Sequence, residues 1–286
     1  MSFDSFESST ELGDPVNLYL FRVGPNPADA LAYTDAEAPI TLIVEGIPII
    51  FGPLPMDRDN IKSSGRIDKT TLETRMPRDC ALVDLYKVYP PSYMVSLVIY
   101  SGHLSDPAGE FKVMFAGRVR NVALDGMVAT VSADPVSSIL ARAGLRRNWQ
   151  YGCMYVLYGT LCQAQRVPRS TLVGSVLSGV SVRVTPVVPF DKPFAKFLNG
   201  TVEWTNADDR LERRNISAIV DAGGGAYDLT LTGSTSTIEA GQTMDMLLGC
   251  AHDTVDCETV FNNLLNFGGQ PWIPLSNPVG NIATFF

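Results

Sequence analysis

Short runs in which apolar or β-branched side chains alternate with polar ones dominate the first half of the chain, and they predict β-strands. Gly, Pro, Asp and Asn separate these runs, as expected of turns. The runs are residues 16–23, 40–51, 70–76, 94–102, 111–124 and 127–133. The Asp125-Gly126 pair between the last two predicts a two-residue hairpin turn, because it can adopt the positive φ of a type I′ turn. Together these strands predict a β-barrel or β-sandwich.

A short helix is predicted directly after the strands. Asp134 is a suitable N-cap, Pro135 suits the first helical position, and Gly144 lies beyond the end. We expect this helix to close a first domain, residues 1–145, and a second domain to occupy residues 146–286.

The second domain is predicted to contain a β insertion at about residues 170–240. Strand-like runs return there and are separated by glycines and polar residues. These runs are residues 174–187, 200–206, 213–222 and 226–234. The glycines at 223–225 predict a hairpin tip rather than a phosphate loop, because no Lys-Ser/Thr pair follows them.

A helix is also predicted after Cys257. Asp256 can cap it, and Gly268-Gly269 can end it. Its apolar stripe would consist of Val260, Leu264 and Leu265. Cys257 would then lie in the first turn, where free N–H groups and the helix dipole favour negative charge.

Composition indicates a folded protein that forms assemblies. Of the 286 residues, 45% are hydrophobic and only 18% are charged, so we expect partners to cover part of the surface. No apolar run approaches the ~20 residues that span a bilayer, and the acidic N-terminal segment is unlike a signal peptide. We therefore expect synthesis in the cytoplasm without membrane insertion. A net charge of −8 argues against specific nucleic-acid binding.

Four of the five cysteines form two pairs, Cys153 with Cys162 and Cys250 with Cys257. Eight and six residues separate the members, whereas zinc knuckles usually have gaps of about two to four. An iron-sulfur cluster suits wider gaps, because each cysteine binds a different iron. Zinc, inert buried thiols and disulfides remain alternatives. The fifth cysteine, Cys80, lies among apolar residues and is predicted to be a core thiol.

Residues around the cysteines add detail to the predicted site. Helical intervals separate three apolar residues near the first pair and could bring that pair to one face: Met154, Leu157 and Leu161. Gly152 and Gly249 precede the pairs and could let backbone approach sulfur closely. His252 could replace one cysteine at a zinc site, or it could be an exposed loop histidine.

Catalytic motifs are absent from the sequence. His103 and His252 are the only histidines, and neither lies in a nucleophile, metalloprotease or kinase motif. We therefore expect a protein that is not an enzyme.

Three segments in the second half resemble the C-terminal signature of a phage tail-tip hub family. They are WQYGC with LYGTLC at 149–162, LLGCAHDTVDC at 247–257 and FNNLLNFGGQPWIP at 261–274. The family includes the hub of gene transfer agents and is similar to the tail-tip protein L of lambda-like siphophages. The resemblance is specific from 149 to 274 and looser before it. Glu258 departs from the pattern, because the family is often richer in arginine after the second pair.

The resemblance implies a hub-type β-barrel domain followed by an iron-sulfur domain with a β insertion. It implies that Cys153, Cys162, Cys250 and Cys257 hold a 4Fe-4S cluster with a structural role. It further implies a homotrimer at the virion tail tip, assembled in the host cytoplasm. The implied partners are the distal tail protein, the tape measure protein and a central fibre or receptor-binding protein. The alternative is a redox-active iron-sulfur electron-transfer or sensor protein, which requires an exposed cluster and a soluble monomer.

Overall fold

A computed structural model describes most of the chain as two compact units, residues 1–143 and 144–286. The described residues are 3–9, 13–24, 29–61, 71–87, 90–141, 144 and 149–274. Strands dominate both units and the described helices are short, which confirms the predicted mainly β class. In the described part of the chain, no helix is both long enough and apolar enough to cross a membrane.

Nine strands make up the sheet of the first unit, counted over its described residues. They are β1 (Pro15–Val23), β2 (Ala30–Thr34), β3 (Ile40–Val44), β4 (Ile47–Pro53), β5 (Asp57–Arg58), β6 (Leu72–Pro77), β7 (Val95–His103), β8 (Lys112–Asp125) and β9 (Val128–Pro135). Two short helices accompany them, α1 (Phe3–Glu7) and α2 (Ala81–Asp84). The strand order is β3-β4-β2-β1-β7-β8-β9-β6-β5.

Strand β1 lies at the centre of this sheet and is buried on both faces. Tyr19 and Phe21 pack into one core with β6, β7, β8, β9 and α2. Leu18 and Leu20 pack on the opposite face against the β3–β4 hairpin. Burial on both faces explains why β1 is a nearly continuous apolar run rather than an alternating one.

The residues of the first unit predicted a barrel or a sandwich, and the family resemblance implied a barrel. The backbone pairing of this unit, over the described residues, is instead a curled sheet with β3 and β5 at the two edges. Arg58 of β5 reaches back to β1 and donates a hydrogen bond to Asn17 Oδ1 at 3.0 Å. A closed ring would require the edge strands β3 and β5 to pair with each other, and among the described residues they do not.

Two local predictions, for the β8–β9 turn and for the residues that end β9, differ from the structure. The β8–β9 turn comprises Gly126 and Met127, with positive φ at Gly126 only, which is typical of type II′ rather than type I′. Asp134 and Pro135 pair with β8 as the last residues of β9, so they cannot begin an α-helix. A 3₁₀ helix, Val136–Ala141, follows instead.

Six strands close a barrel in the second unit, within residues 149–274, which are described throughout. They are β10 (Arg169–Ser178), β11 (Ser181–Pro186), β12 (Thr201–Thr205), β13 (Leu211–Gly223), β14 (Ala226–Leu231) and β15 (Thr243–Leu247). The order is β10-β11-β14-β13-β12-β15, and β15 closes the ring by pairing with both β10 and β12. The barrel thus occupies the predicted β insertion and extends past both of its ends.

Inward-facing apolar side chains fill this barrel. Alternate positions on the strands contribute the core, which includes Val173, Val182, Val184, Val202, Trp204, Ile216, Leu229, Leu231, Met244 and Met246. The predicted glycine hairpin tip is confirmed, because Gly224 and Gly225 form the two-residue loop between β13 and β14. Both have positive φ, as a type I′ turn requires.

Candidate metal centre

Three segments outside the barrel bring all four paired cysteines together. They are residues 150–163, 248–257 and 261–270, and the four sulfur-bearing side chains line one pocket between them. The lining cysteines are Cys153, Cys162, Cys250 and Cys257. Cys257 is buried and the other three are half-buried. Cys80 is buried in the core of the first unit, as predicted.

The first segment is a series of turns rather than the predicted helix. Tyr158 and Gln163 have φ of 60° and 55°, a left-handed conformation that an α-helix cannot contain. The Tyr158 hydroxyl donates to the Leu248 carbonyl at 2.9 Å, which ties this segment to the second one. Long-range contacts therefore decide how Cys153 and Cys162 approach each other.

Helix α3 (Thr254–Thr259) carries Cys257 and begins before it, not after it. The N-cap is Asp253, whose carboxylate accepts a hydrogen bond from the Asp256 N–H at 2.7 Å. Asn262, with a φ of 48°, breaks the helical path soon after α3 ends. The predicted apolar stripe is therefore not one helical face, and a separate 3₁₀ helix forms at Leu264–Asn266.

Asp256 is a buried carboxylate beside the site. It accepts hydrogen bonds from Lys196 Nζ and, at 3.0 Å, from the Ala251 N–H. Burial acts to raise the pKa of Asp256, but the bonds from Lys196 and Ala251 outweigh it and hold that pKa below its usual value. The charged carboxylate thus clamps the loop of Cys250 onto α3.

Hydrogen-bond donors approach three of the four sulfurs. The Gly268 N–H lies 3.3 Å from Cys153 Sγ, and the His252 N–H lies 3.3 Å from Cys250 Sγ. The side-chain amide of Asn263 lies 3.8 Å from Cys162 Sγ. Donors placed at sulfur stabilise negative charge there, as ligand thiolates need.

Burial and mutual repulsion oppose ionisation of these thiols. The pKa of Cys257 is raised to about 11, first by burial and then by Cys153, Cys162 and Cys250. Burial also raises the pKa of Cys250, with Asp256 and two neighbouring cysteines adding to the effect. Four adjacent thiolates need a compensating positive charge, which is what a bound metal group supplies.

Glycines next to the cysteines serve backbone packing. A Cβ on Gly249 would lie 1.8 Å from the Leu198 carbonyl oxygen, and one on Gly152 would lie 3.4 Å from the His252 carbonyl oxygen. That same His252 carbonyl accepts the Cys153 N–H at 2.8 Å. The glycines therefore let backbone segments approach one another, where we had predicted close approach to sulfur.

The four cysteines share a pocket, but they are not grouped as a site for a metal ion. In the described ranges, no three His, Cys, Asp or Glu side chains are grouped to hold a single metal ion. The four cysteines line this pocket together with His252, which is exposed, as one of the two sequence interpretations expected. By chemistry alone, four thiolates are the donor set of a 4Fe-4S cluster, in which each cysteine binds its own iron.

Sequence reasoning found the cysteines and missed the residues that hold them. Tyr158, Lys196 and Asn263 all bond to the cysteine segments, and none was singled out. Asp256 was expected as a helix cap and is a clamp instead. Tyr158 and Asn263 lie in the LYG and FNN motifs, which do not indicate the atoms they contact, and Lys196 lies in neither motif.

Comparison with known proteins gives a family match, matches to solved structures and one negative result. Residues 195–277 match the profile of a family described as "Phage conserved hypothetical protein BR0599". The fold is similar to a chain in "Virion of native gene transfer agent (GTA) particle", with a TM-score of 0.71 and 18% identity. That likeness covers 99% of this chain and 97% of the other. No curated protein matches. The family match includes Cys250 and Cys257, and the structural match shows the fold.

Proposed function

We propose that this chain is a structural component of a phage or phage-like virion, and specifically the hub protein of a long flexible tail. The observation that carries the proposal is the likeness in fold, over 99% of the chain, to a chain of a gene transfer agent virion. The family match at 195–277 supports a phage origin. The order of the two cysteine segments and the closing NFGGQPWIP stretch supports the hub role.

In this role the chain is an adaptor rather than an enzyme. A homotrimer would join the distal tail protein ring to the central fibre or receptor-binding protein at the tail tip, next to the tape measure protein. The chain is poor in charged residues, as expected if partners cover part of its surface.

We also propose that the four-cysteine pocket holds a 4Fe-4S cluster. Cys153, Cys162, Cys250 and Cys257 would each bind one iron, and the pocket that they line supports this assignment. A bound cluster supplies a covalent cross-link between segments that are far apart in sequence, so its binding energy becomes folding energy. The N–H groups of His252 and Gly268 would stabilise the thiolates.

The first experiment addresses the cluster directly. Protein purified without oxygen is assayed for iron, sulfide and visible absorption, as wild type, Cys250→Ser and Cys80→Ala. We expect a brown wild type with about four irons per chain, loss of iron in Cys250→Ser, and full iron content in Cys80→Ala. Colourless wild type, or protein that holds zinc, would exclude the cluster.

A second experiment addresses the hub. Immunogold labelling of purified particles with an antibody against this chain should mark the tail end distal to the head, and the purified chain should sediment as a trimer. Label elsewhere on the particle would contradict the hub role. A soluble monomer whose cluster reduces reversibly would favour the electron-transfer or sensor alternative.

A further inference from the structure

We propose that Asn263 is the positioning residue of the cysteine pocket, holding Cys162 and Cys257 at their places across it. This inference rests on the proposed cluster site and extends it to a residue that is not a ligand. Asn263 lies in the third segment, downstream of every paired cysteine.

Asn263 contacts two cysteines from different segments. Its backbone N–H donates to the Cys257 carbonyl at 2.8 Å. In the metal-free protein its own carbonyl also accepts from the Cys257 thiol at 3.2 Å, a bond that a metal-bound thiolate does not make. Its side-chain amide donates to the Cys162 carbonyl and lies 3.8 Å from Cys162 Sγ. One residue thereby spans from α3 to the turn segment that carries the first pair.

The orientation of the Asn263 amide is itself determined. Asn266 Nδ2 donates to Asn263 Oδ1 at 2.7 Å, and the Asn266 N–H donates to the Asn263 carbonyl at 3.0 Å. Because Oδ1 is occupied as an acceptor, Nδ2 is the end that faces Cys162. The 3₁₀ helix at Leu264–Asn266 therefore supports the contact with sulfur.

Two other hydrogen bonds join the cysteine segments, but neither involves Cys162 or Cys257. The Tyr158 hydroxyl bonds to Leu248, and the Gly268 N–H bonds to Cys153. Asn263 is half-buried and supplies the side-chain donor at Cys162. Second-layer partners of this kind orient ligands, and their loss typically costs about 10–100-fold in metal affinity.

The central test compares Asn263→Leu with Gln270→Leu. Both changes replace an amide by an apolar side chain, but the Gln270 side chain is exposed at the edge of the segment. With metal-free protein, alkylation of each cysteine is timed by mass spectrometry under native conditions. Because loss of the bond to the Cys162 carbonyl frees that segment, we expect Cys162 to react about tenfold faster per thiolate in Asn263→Leu and to be unchanged in Gln270→Leu.

Two readouts apply to the loaded protein. Iron should pass to an external chelator about tenfold faster in Asn263→Leu. The reduction potential of the bound cluster should fall, because removing an N–H donor from sulfur destabilises the more negative reduced state. Loss of fold alone would not lower the potential of the cluster that remains bound.

Asn266→Ala is the second variant and tests the same contact if Asn263→Leu does not fold. It removes the group that orients the Asn263 amide and leaves Asn263 itself in place. A smaller increase in Cys162 alkylation is expected, with normal circular dichroism.

Equal alkylation of Cys162 in Asn263→Leu, Gln270→Leu and wild type would overturn the inference. If wild type holds no iron while Asn263→Leu still exposes Cys162, the positioning role stands and the proposed cluster fails. The two failures are therefore distinguishable.

Discussion

Backbone contacts explain why a glycine precedes Cys250. The Gly249 N–H donates to the Lys196 carbonyl at 2.8 Å, and a Cβ on Gly249 would lie 2.7 Å from the Gly200 nitrogen. The position of one of the four cysteines thus depends on a residue without a side chain. A methyl group there would force the Cys250 loop away from the barrel.

Gly249→Ala is therefore expected to destabilise the second unit by about 2–3 kcal/mol, because the added methyl group would meet backbone atoms, which cannot move aside as a flexible side chain can. The reason is the 1.8 Å approach of the added Cβ to the Leu198 oxygen. Chemical denaturation measures the change. Gly179→Ala is the control, because nothing lies within 4 Å of a Cβ there; an equal loss in both variants would contradict the packing argument.

Tyr19 provides a pH-dependent prediction in the first unit. Burial, followed by the charge of Asp35, raises its pKa from 10.0 to about 12, although Arg58 opposes the rise. Because the folded pKa exceeds the unfolded one, Tyr19 stabilises the fold fully below pH 10 and this contribution is lost between pH 10 and about 12. Tyrosinate absorbance and denaturation against pH should show a late-titrating tyrosine that Tyr19→Phe lacks. Identical titrations in both proteins would contradict it.

At the scale of elements, turns follow local sequence where glycine permits a rare φ. The β13–β14 loop is the clearest case, since Gly224 and Gly225 have φ of 64° and 79°. The β8–β9 turn shows the limit, because the strand register moved it one residue past the predicted pair, to Gly126 and Met127. A glycine motif indicates that a turn is present, and the pairing of the strands decides its position.

Substitution at Gly224 tests this element. Gly224→Val should cost about 1–2 kcal/mol, because a β-branched residue is strained in the left-handed region. Gly224→Asn should cost much less, since asparagine tolerates positive φ. Thermal unfolding of the two variants checks the order, and an equal loss of stability would contradict the type I′ assignment.

At the scale of the molecule, two units carry separate cores. The curled sheet packs its core around β1, and the barrel packs its own around Trp204 and Ile216. The cysteine pocket is built by residues of the second unit alone. Changes at the pocket should therefore leave the core of the first unit intact.

Separate expression of residues 1–143 and 144–286 should give two β-rich fragments, each with cooperative unfolding. Cys250→Ser should lower the midpoint of thermal unfolding of the second fragment when metal is supplied. The first fragment does not contain Cys250. Circular dichroism and calorimetry provide the measurement. A first fragment that is unfolded alone would show that its core depends on the rest of the chain.

The sequence by itself determined the strands and the identity of the thiols. Alternating side chains are a local property, so most strands of both units were predicted near their observed positions. The cysteine spacing also predicted that two distant segments meet, and all four side chains do line one pocket. These features depend on residue type and on short-range pattern.

Only the tertiary structure decided how the strands close and what holds the sulfurs. β15 completes the barrel through pairs with β10 and β12, which are distant in sequence. The bond from Asn263 to Cys162 joins residues that are 101 positions apart. The left-handed backbone of Tyr158 also cannot be read from the local sequence. Hydrogen bonds of this range outweigh local propensity, because a buried polar group without a partner costs more than an unfavourable turn.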